Sequence, residues 1–311
     1  MRVKYAVTTD SCADVRREWC ERKGVEVASF PWNWERAGKG GMPTEYKTTY
    51  LDDFVPMAEE FYRGLGEGDV VRTSLITKEA FAEFFKGAAV KAGMDKRTKV
   101  VVWHICMSSG LSVGTWDTVW KGAKIAERET EGRVTVVITD TKAASLTQRL
   151  CVEKAVEMLK EAQKKGRVNM AALDRELTAW RREHLFMGGY LGDLRFLQRS
   201  GRTSWLKAWA GRLLGLKPMA TYSVETGLVD ITGMTKAGKK GMKDVWRVVE
   251  ASLKEGEGLK EVIFGYTGEK ARAVAEEMST AGDIVCETSW IGNVSGAHMG
   301  PETMYVTWVT E

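Results

Sequence analysis

The sequence has few cysteines, few histidines, no large charge excess and no long apolar run. Five cysteines (Cys12, Cys20, Cys106, Cys151 and Cys286) are spread over 311 residues without a C-x-x-C pair. An odd, scattered set excludes a disulfide framework or a zinc knuckle and reads as reduced thiols of a cytoplasmic protein. Three histidines argue against a multi-histidine metal site, so no metal is expected. No segment approaches the roughly 20 apolar residues that span a bilayer, and "MRVKYAVTTDS" enters a strand-like run without a signal-peptide core. The formal net charge is +4, and basic residues alternate with acidic ones, as in "EKAVEMLKEAQKKGR". Such runs are solvated helix faces and give no reason to expect nucleic acid.

What the chain does contain is ordinary globular material, 44% hydrophobic and 28% charged, in a length that suggests about two domains. Twelve tryptophans are the compositional oddity, and positions such as Trp32, Trp34, Trp205 and Trp209 read as core or surface anchors. Short β-rich runs ("VKYAVTT", "VEVASF", "KVVVWHICM", "RVTVVIT") alternate with helical patterns ("DDFVPMAEEFYRGL", "KEAFAEFFKGAAVKAG", "SVGTWDTVWKGAKIAERE"). This alternation predicts a mostly parallel sheet covered on both faces, with ligands beyond the C-terminal strand ends. Two long helices follow, "SLTQRLCVEKAVEMLKEAQKKG" and "NMAALDRELTAWRRE". Then come the strand "HLFMGGY", a hairpin turning at Glu225-Thr226-Gly227, and a helix–strand–helix–strand tail. The expected fold class is α/β, with a parallel-sheet, Rossmann-like domain over 1–168 and a mixed-sheet α/β domain over 169–311.

Four hydroxyl-rich turns accompany apolar runs: "TTDS" (8–11), "RTSLIT" (72–77), "MSSGLS" (107–112) and "TDTKAAS" (139–145). Each alone reads as a helix cap. Four at one sheet edge would make a site for an anion such as a carboxylate or phosphate. Gly110–Gly114 also fits the G-x-S-x-G hydrolase elbow, and Ser112, Asp140 and His298 fall in the matching order. "SSGL" separates Ser112 from the apolar run, however, whereas an elbow serine sits on a sharp turn directly off its strand. Gly233–Lys239 imitates a P-loop, but Lys240 stands where a Mg²⁺-binding hydroxyl is needed, and the run follows an antiparallel hairpin. Lys236, Lys239 and Lys240 nevertheless form a cationic turn able to meet an oxyanion. His104 reads as a hydrogen-bonded core residue. His298, in "GAHMGP", reads as a Gly-flanked loop residue able to reach a cleft. "TSWLKAWAGRLLGLKP" is a basic amphipathic helix that either packs on its own domain or rests on a membrane surface.

Taken in order, these motifs resemble the DegV family, lipid-binding proteins that include the fatty-acid-binding subunit of bacterial fatty acid kinase. "TTDSCADV" resembles its opening T-D-S-x-x-D, "RTSLIT" its T-S-Q-P turn, and "SSGLSVGTW" its S-S-x-L-S-G-T-Y. "TDTKAAS" resembles D-S-K-x-x-S, "FLQRSGRTS" the Leu-rich run ending G-G-R-I-S, "LLGLKPM" the I-K-P element and "GAHMGPE" the terminal A-H-T-G-P-G. The resemblance implies a long-chain fatty acid held in an apolar interdomain tunnel, with no further cofactor. A separate ATP-dependent kinase would phosphorylate the bound acid. Matched by motif, the carboxylate falls to Thr73, Ser74, Ser112 and His298, with Asp10, Ser11, Ser109 and Gly114 as neighbours and Lys236 as the phosphate contact. The chain itself is then a non-enzymatic, cytoplasmic carrier. A serine esterase or lipase using Ser112, and a DegV-like carrier or sensor uncoupled from any kinase, stay open as alternatives. Three departures bear on the site. Val113 is inserted relative to L-S-G-T, which could re-aim Ser112 and leave Ser109 as the contact. Met299 and Glu302 replace the usual Thr and Gly, and Lys236 stands where Arg is frequent.

Overall fold

The computed structural model describes residues 2–38, 44–199, 215–255, 257–280 and 286–311. The first sheet is entirely parallel, in the order β2-β1-β6-β7: β1 (Arg2–Asp10), β2 (Val25–Ala28), β6 (Thr98–Cys106) and β7 (Val134–Asp140). Its strands are β-branched and bury their C-terminal halves, so their polar ends converge on the edge where helices begin. Helices α4 (Lys78–Lys91), α5 (Val113–Glu129), α6 (Ser145–Lys164) and α7 (Met170–His184) cover it. Thr77 caps α4 through the Ala80 amide, and Asn169 caps α7 through that of Ala172.

A second sheet of six strands has the order β10-β9-β8-β13-β11-β12. It comprises β8 (Leu185–Tyr190), the hairpin β9 (Lys217–Tyr222) and β10 (Val229–Thr235), β11 (Leu259–Tyr266), β12 (Cys286–Trp290) and β13 (Met304–Thr310). Only β11 and β12 run parallel; the other pairs are antiparallel. All seven residues of β13 are buried. Tyr305 and Val309 join the core shared with α6, while Met304, Val306 and Trp308 join the core under α9 (Lys239–Ser252) and α10 (Glu269–Ser279). The fold is therefore mixed α/β, one parallel-sheet half and one mixed-sheet half, with α6 packed between them.

A third sheet is absent from the sequence reading. β3 (Pro31–Glu35), β4 (Thr44–Lys47) and β5 (Val70–Thr73) form a small antiparallel sheet in the order β4-β3-β5. The turn 72–77 thus leaves this sheet and not the parallel one, correcting the expectation of four hydroxyl turns on a single edge. The helical pattern at 52–65 is also broken: α2 (Leu51–Phe54), a 3₁₀ turn carrying Pro56, and α3 (Ala58–Glu67) share it. Proline lacks the N–H that would continue α2. Trp32 and Trp34 are buried as anchors, as expected. Of the stretch 203–218 expected as a Trp-rich amphipathic helix, residues 203–214, with Trp205 and Trp209, lie outside the described residues, and Lys217 and Pro218 instead open β9. Among those described, no helix is long and apolar enough to cross a membrane.

Candidate functional site

A cavity lies between the strand ends of the parallel sheet and the inner face of the six-stranded sheet. One wall comes from Cys12, Met107, Leu111 and Ala144, the other from Met187, Tyr190, Ala220, Tyr222 and Tyr305. α11 (Asn293–Met299) and the turn after β5 close one end. Of the described lining residues, only Ser74 and Leu75 are exposed, and only Thr73, Leu111, Ser112 and His298 are half-buried. The mouth therefore lies at this end, and the interior beyond it is buried and largely apolar.

The mouth gathers Thr73, Ser74, Ser112 and His298 from three separate elements. Thr73 closes β5, and its Oγ1 lies 3.0 Å from His298 Nε2. His298 occupies the last turn of α11, which ends at Gly300, not the loop its glycine-flanked sequence suggests. Ser112 is the N-cap of α5: its Oγ accepts the Thr115 amide at 3.3 Å and sits 2.8 Å from Thr115 Oγ1. Ser112 thus caps α5 and lines the mouth at once. The 17-residue α5 brings the positive end of its dipole to the mouth. Gly114, in the first turn of α5, leaves room for Leu75, because a Cβ there would lie 2.7 Å from Leu75 Cδ1. Val113 is 74% exposed, so the inserted residue points to solvent and Ser112 still faces the cavity.

Asp10, Ser11, Ser109 and Lys236 do not line the cavity. Asp10 is buried and accepts the amides of Cys12 and Met107, both lining residues, at 3.1 and 2.9 Å. Burial pushes its carboxyl up to about 6, against the pull of those donors. Ser11 Oγ accepts the Phe30 amide and so orients another wall residue. Ser109 Oγ accepts from Lys142 Nζ at 2.9 Å, and its amide donates to Asp140. Lys236 is exposed after β10, at the opposite end of that strand from the hairpin tip. The tip docks instead on the 107–112 turn, where Ser108 Oγ donates to the Gly227 carbonyl. Met299 is buried in the wall, whereas Glu302 turns away and accepts the Ala271 amide at the start of α10. The acid that replaces glycine is thus spent on a helix N-terminus.

Ser112, Asp140 and His298 form no triad. The carboxylate of Asp140 accepts from Ser109 and Lys142, Ser112 bonds to Thr115, and neither side chain is hydrogen-bonded to His298. A nucleophile–base–orienter chain needs both links. His104 is a core residue as expected: it lies 3.0 Å from Thr8 Oγ1 among Phe81, Phe84 and Phe85, and burial lowers its pKa to about 3. Asp10, His104 and Cys106 bring ligand atoms within 4.8 Å of one another. Burial drives the Cys106 thiol well up, opposing the thiolate that a metal requires. Cavity residues the sequence reading missed include Cys12, whose thiol lies 3.3 Å from Ser295 Oγ, and Tyr190, Tyr222 and Tyr305. Tyr190 and Tyr222 end β8 and β9, Cys12 follows β1 and Tyr305 lies at the start of β13, positions that become specific only once the sheets face each other.

Two facing α/β layers around a greasy cavity with a hydroxyl–imidazole mouth define an α/β protein with an internal apolar cavity. The model of the DegV family, described as "Uncharacterised protein, DegV family", matches residues 4–311, and the chain belongs to this family. A DegV domain-containing protein of Clostridium perfringens is 27% identical over 314 residues, covering 97% of this chain and 96% of its own. The structure of a fatty-acid-binding DegV family protein from Thermus thermophilus is similar at 28% identity and a TM-score of 0.73, covering 98% of this chain and 99% of the other. A stearic-acid-binding protein from Eubacterium ventriosum shares the fold, with a TM-score of 0.75 at 21% identity over 98% of this chain and 98% of its own.

Proposed function

We propose that this protein binds one long-chain fatty acid in the interdomain cavity and presents its carboxylate at the mouth to a separate ATP-dependent fatty acid kinase. The observation that carries the reading is the polarity of the cavity: its exposed and half-buried lining residues cluster around Thr73, Ser112 and His298, and the rest is buried. A carboxylate leaving water needs several donors, and two hydroxyls, an imidazole N–H and a helix N-terminus can supply them without a formal charge. Each buried methylene contributes about 0.8 kcal/mol, so ten give roughly 8 kcal/mol before ordering costs. The tail then supplies affinity and the mouth fixes direction. An acid group held where the cavity meets solvent is also accessible to a second protein. The Thermus thermophilus relative, which binds fatty acid, supports the ligand class.

Denaturing extraction of protein purified from a bacterial host, followed by mass spectrometry, should release a long-chain fatty acid. A preparation with no acyl chain, and no uptake of added fatty acid, refutes the reading. Thr73→Ala and His298→Ala should each weaken lipid binding several-fold while leaving the fold intact. Kinase coupling is tested separately: adding a bacterial fatty acid kinase and ATP to the loaded protein should yield acyl phosphate. Binding without phosphorylation would favour the carrier or sensor reading.

A further inference from the structure

A second, smaller pocket lies beyond the end of β7. It is lined by the turn 141–143, the start of α6, α7, strands β8 and β9 and the residues that follow β9, and it shares Met187 and Tyr222 with the larger cavity. Arg181 of α7 lines it and is only 8% exposed. Its Nη1 donates to the Val224 carbonyl at 3.2 Å, while its Nε has no hydrogen-bond partner in the protein. The nearby acids are engaged elsewhere, Glu225 with Arg182 and Asp140 with Lys142. Among the described residues none forms an ion pair with Arg181. Thr147 of α6, 4% exposed, lines the same cavity with its Oγ1 also unpartnered.

A guanidinium does not deprotonate in a protein, so its burial without a counter-ion is costly and rarely tolerated for packing alone. Here a cation without an ion-pair partner and an unpartnered hydroxyl line one pocket from two different helices. A tetrahedral oxyanion offers acceptors in several directions at once and so suits donors supplied from two different helices better than a planar carboxylate does. We propose that this pocket binds a small oxyanion of the phosphate class, held by the Arg181 Nε–H and the Thr147 hydroxyl. The site stands independently of what fills the larger cavity. Its occupancy would stiffen the hairpin tip and the shared Met187–Tyr222 wall.

The test is calorimetric titration and thermal melting of the full chain with inorganic phosphate at constant ionic strength, in lipid-loaded and delipidated protein. Saturable phosphate binding with a raised melting temperature is expected in both forms. Affinity should fall at least about tenfold in Arg181→Met, fall less in Thr147→Val, and hold in Ser112→Ala. Acetate at equal ionic strength should do nothing. Absence of binding, an unchanged response in Arg181→Met, or an equal response to acetate overturns the proposal. Should Arg181→Met fail to fold, Thr147→Val decides, and unaltered phosphate affinity there counts against the site. An Arg181 with a purely structural role would shift the melting temperature equally with and without phosphate.

Discussion

The four-stranded parallel sheet and the three-stranded antiparallel sheet each supply one side of the same mouth, but they position their residues by different physics. At the parallel sheet, Ser112 is placed by local rules: a strand ends, a turn follows, and the serine caps the next helix. At the small sheet, Thr73 is placed by packing. It pairs in register with Trp32, which stacks on Tyr46 at 4.6 Å and meets Phe61 edge-on at 5.6 Å. That aromatic cluster continues through Tyr62 to Trp290, more than 200 residues along the chain. One half of the mouth thus depends on a cap, the other on a tertiary core.

The largest effect should come from breaking the packed side. Trp32→Ala removes a fully buried indole and should cost about 3–5 kcal/mol of stability by urea denaturation. Lipid affinity should fall with it, because Thr73 loses its cross-strand support. Full lipid affinity in a folded Trp32→Ala protein would show that the small sheet does not set the mouth.

A second contrast is electrostatic. The parallel-sheet edge buries Asp10 and Asp14, whose carboxyls burial raises to about 6 and about 7 from an ordinary value of 3.8. Asp14 accepts a hydrogen bond from Ser145 Oγ, with Arg149 and Asp10 the other charged groups acting on it. Because the folded state holds these protons to higher pH than the unfolded chain, their contribution to stability is complete below about pH 4. It is lost as pH rises through about 6 to 7. Asp14→Asn should therefore flatten the decline in unfolding free energy between about pH 4 and pH 7. Identical slopes in the two proteins would contradict the assignment.

The smallest effects separate cap from insertion. Ser112→Ala should cost about 1 kcal/mol of stability as a lost N-cap, and should lower fatty-acid affinity by about tenfold as a lost donor. Val113→Ala, at an exposed site, should change stability by less than about 0.5 kcal/mol and leave lipid binding alone. If the two variants bound lipid alike, Ser112 would not be a head-group donor.

How much of this was legible follows the same division. Strands β1, β2, β6 and β7 and helices α4 to α7 declare themselves through β-branching, helical periodicity and caps, all of them local properties. The small sheet did not. "PWNWE" and "VVRT" are short, their partners lie up to about 40 residues away, and "RTSLIT" has the same hydroxyl character as the true parallel-edge turns. The central strand β13, "MYVTWVT", also escaped, since a strand buried on both faces carries no alternation to read. His298 was found by motif, but its helical setting was not.

By itself, the sequence determined the α/β class, the capping hydroxyls and the family to which the chain belongs, because strand propensity, periodicity and short motifs act over a few residues. Only the tertiary structure decided that Thr73 and His298, 225 residues apart, come within hydrogen-bonding distance, and that the cavity is greasy behind a polar mouth. Such juxtapositions depend on how two sheets and an aromatic core pack against one another, and close packing is a property of the whole chain.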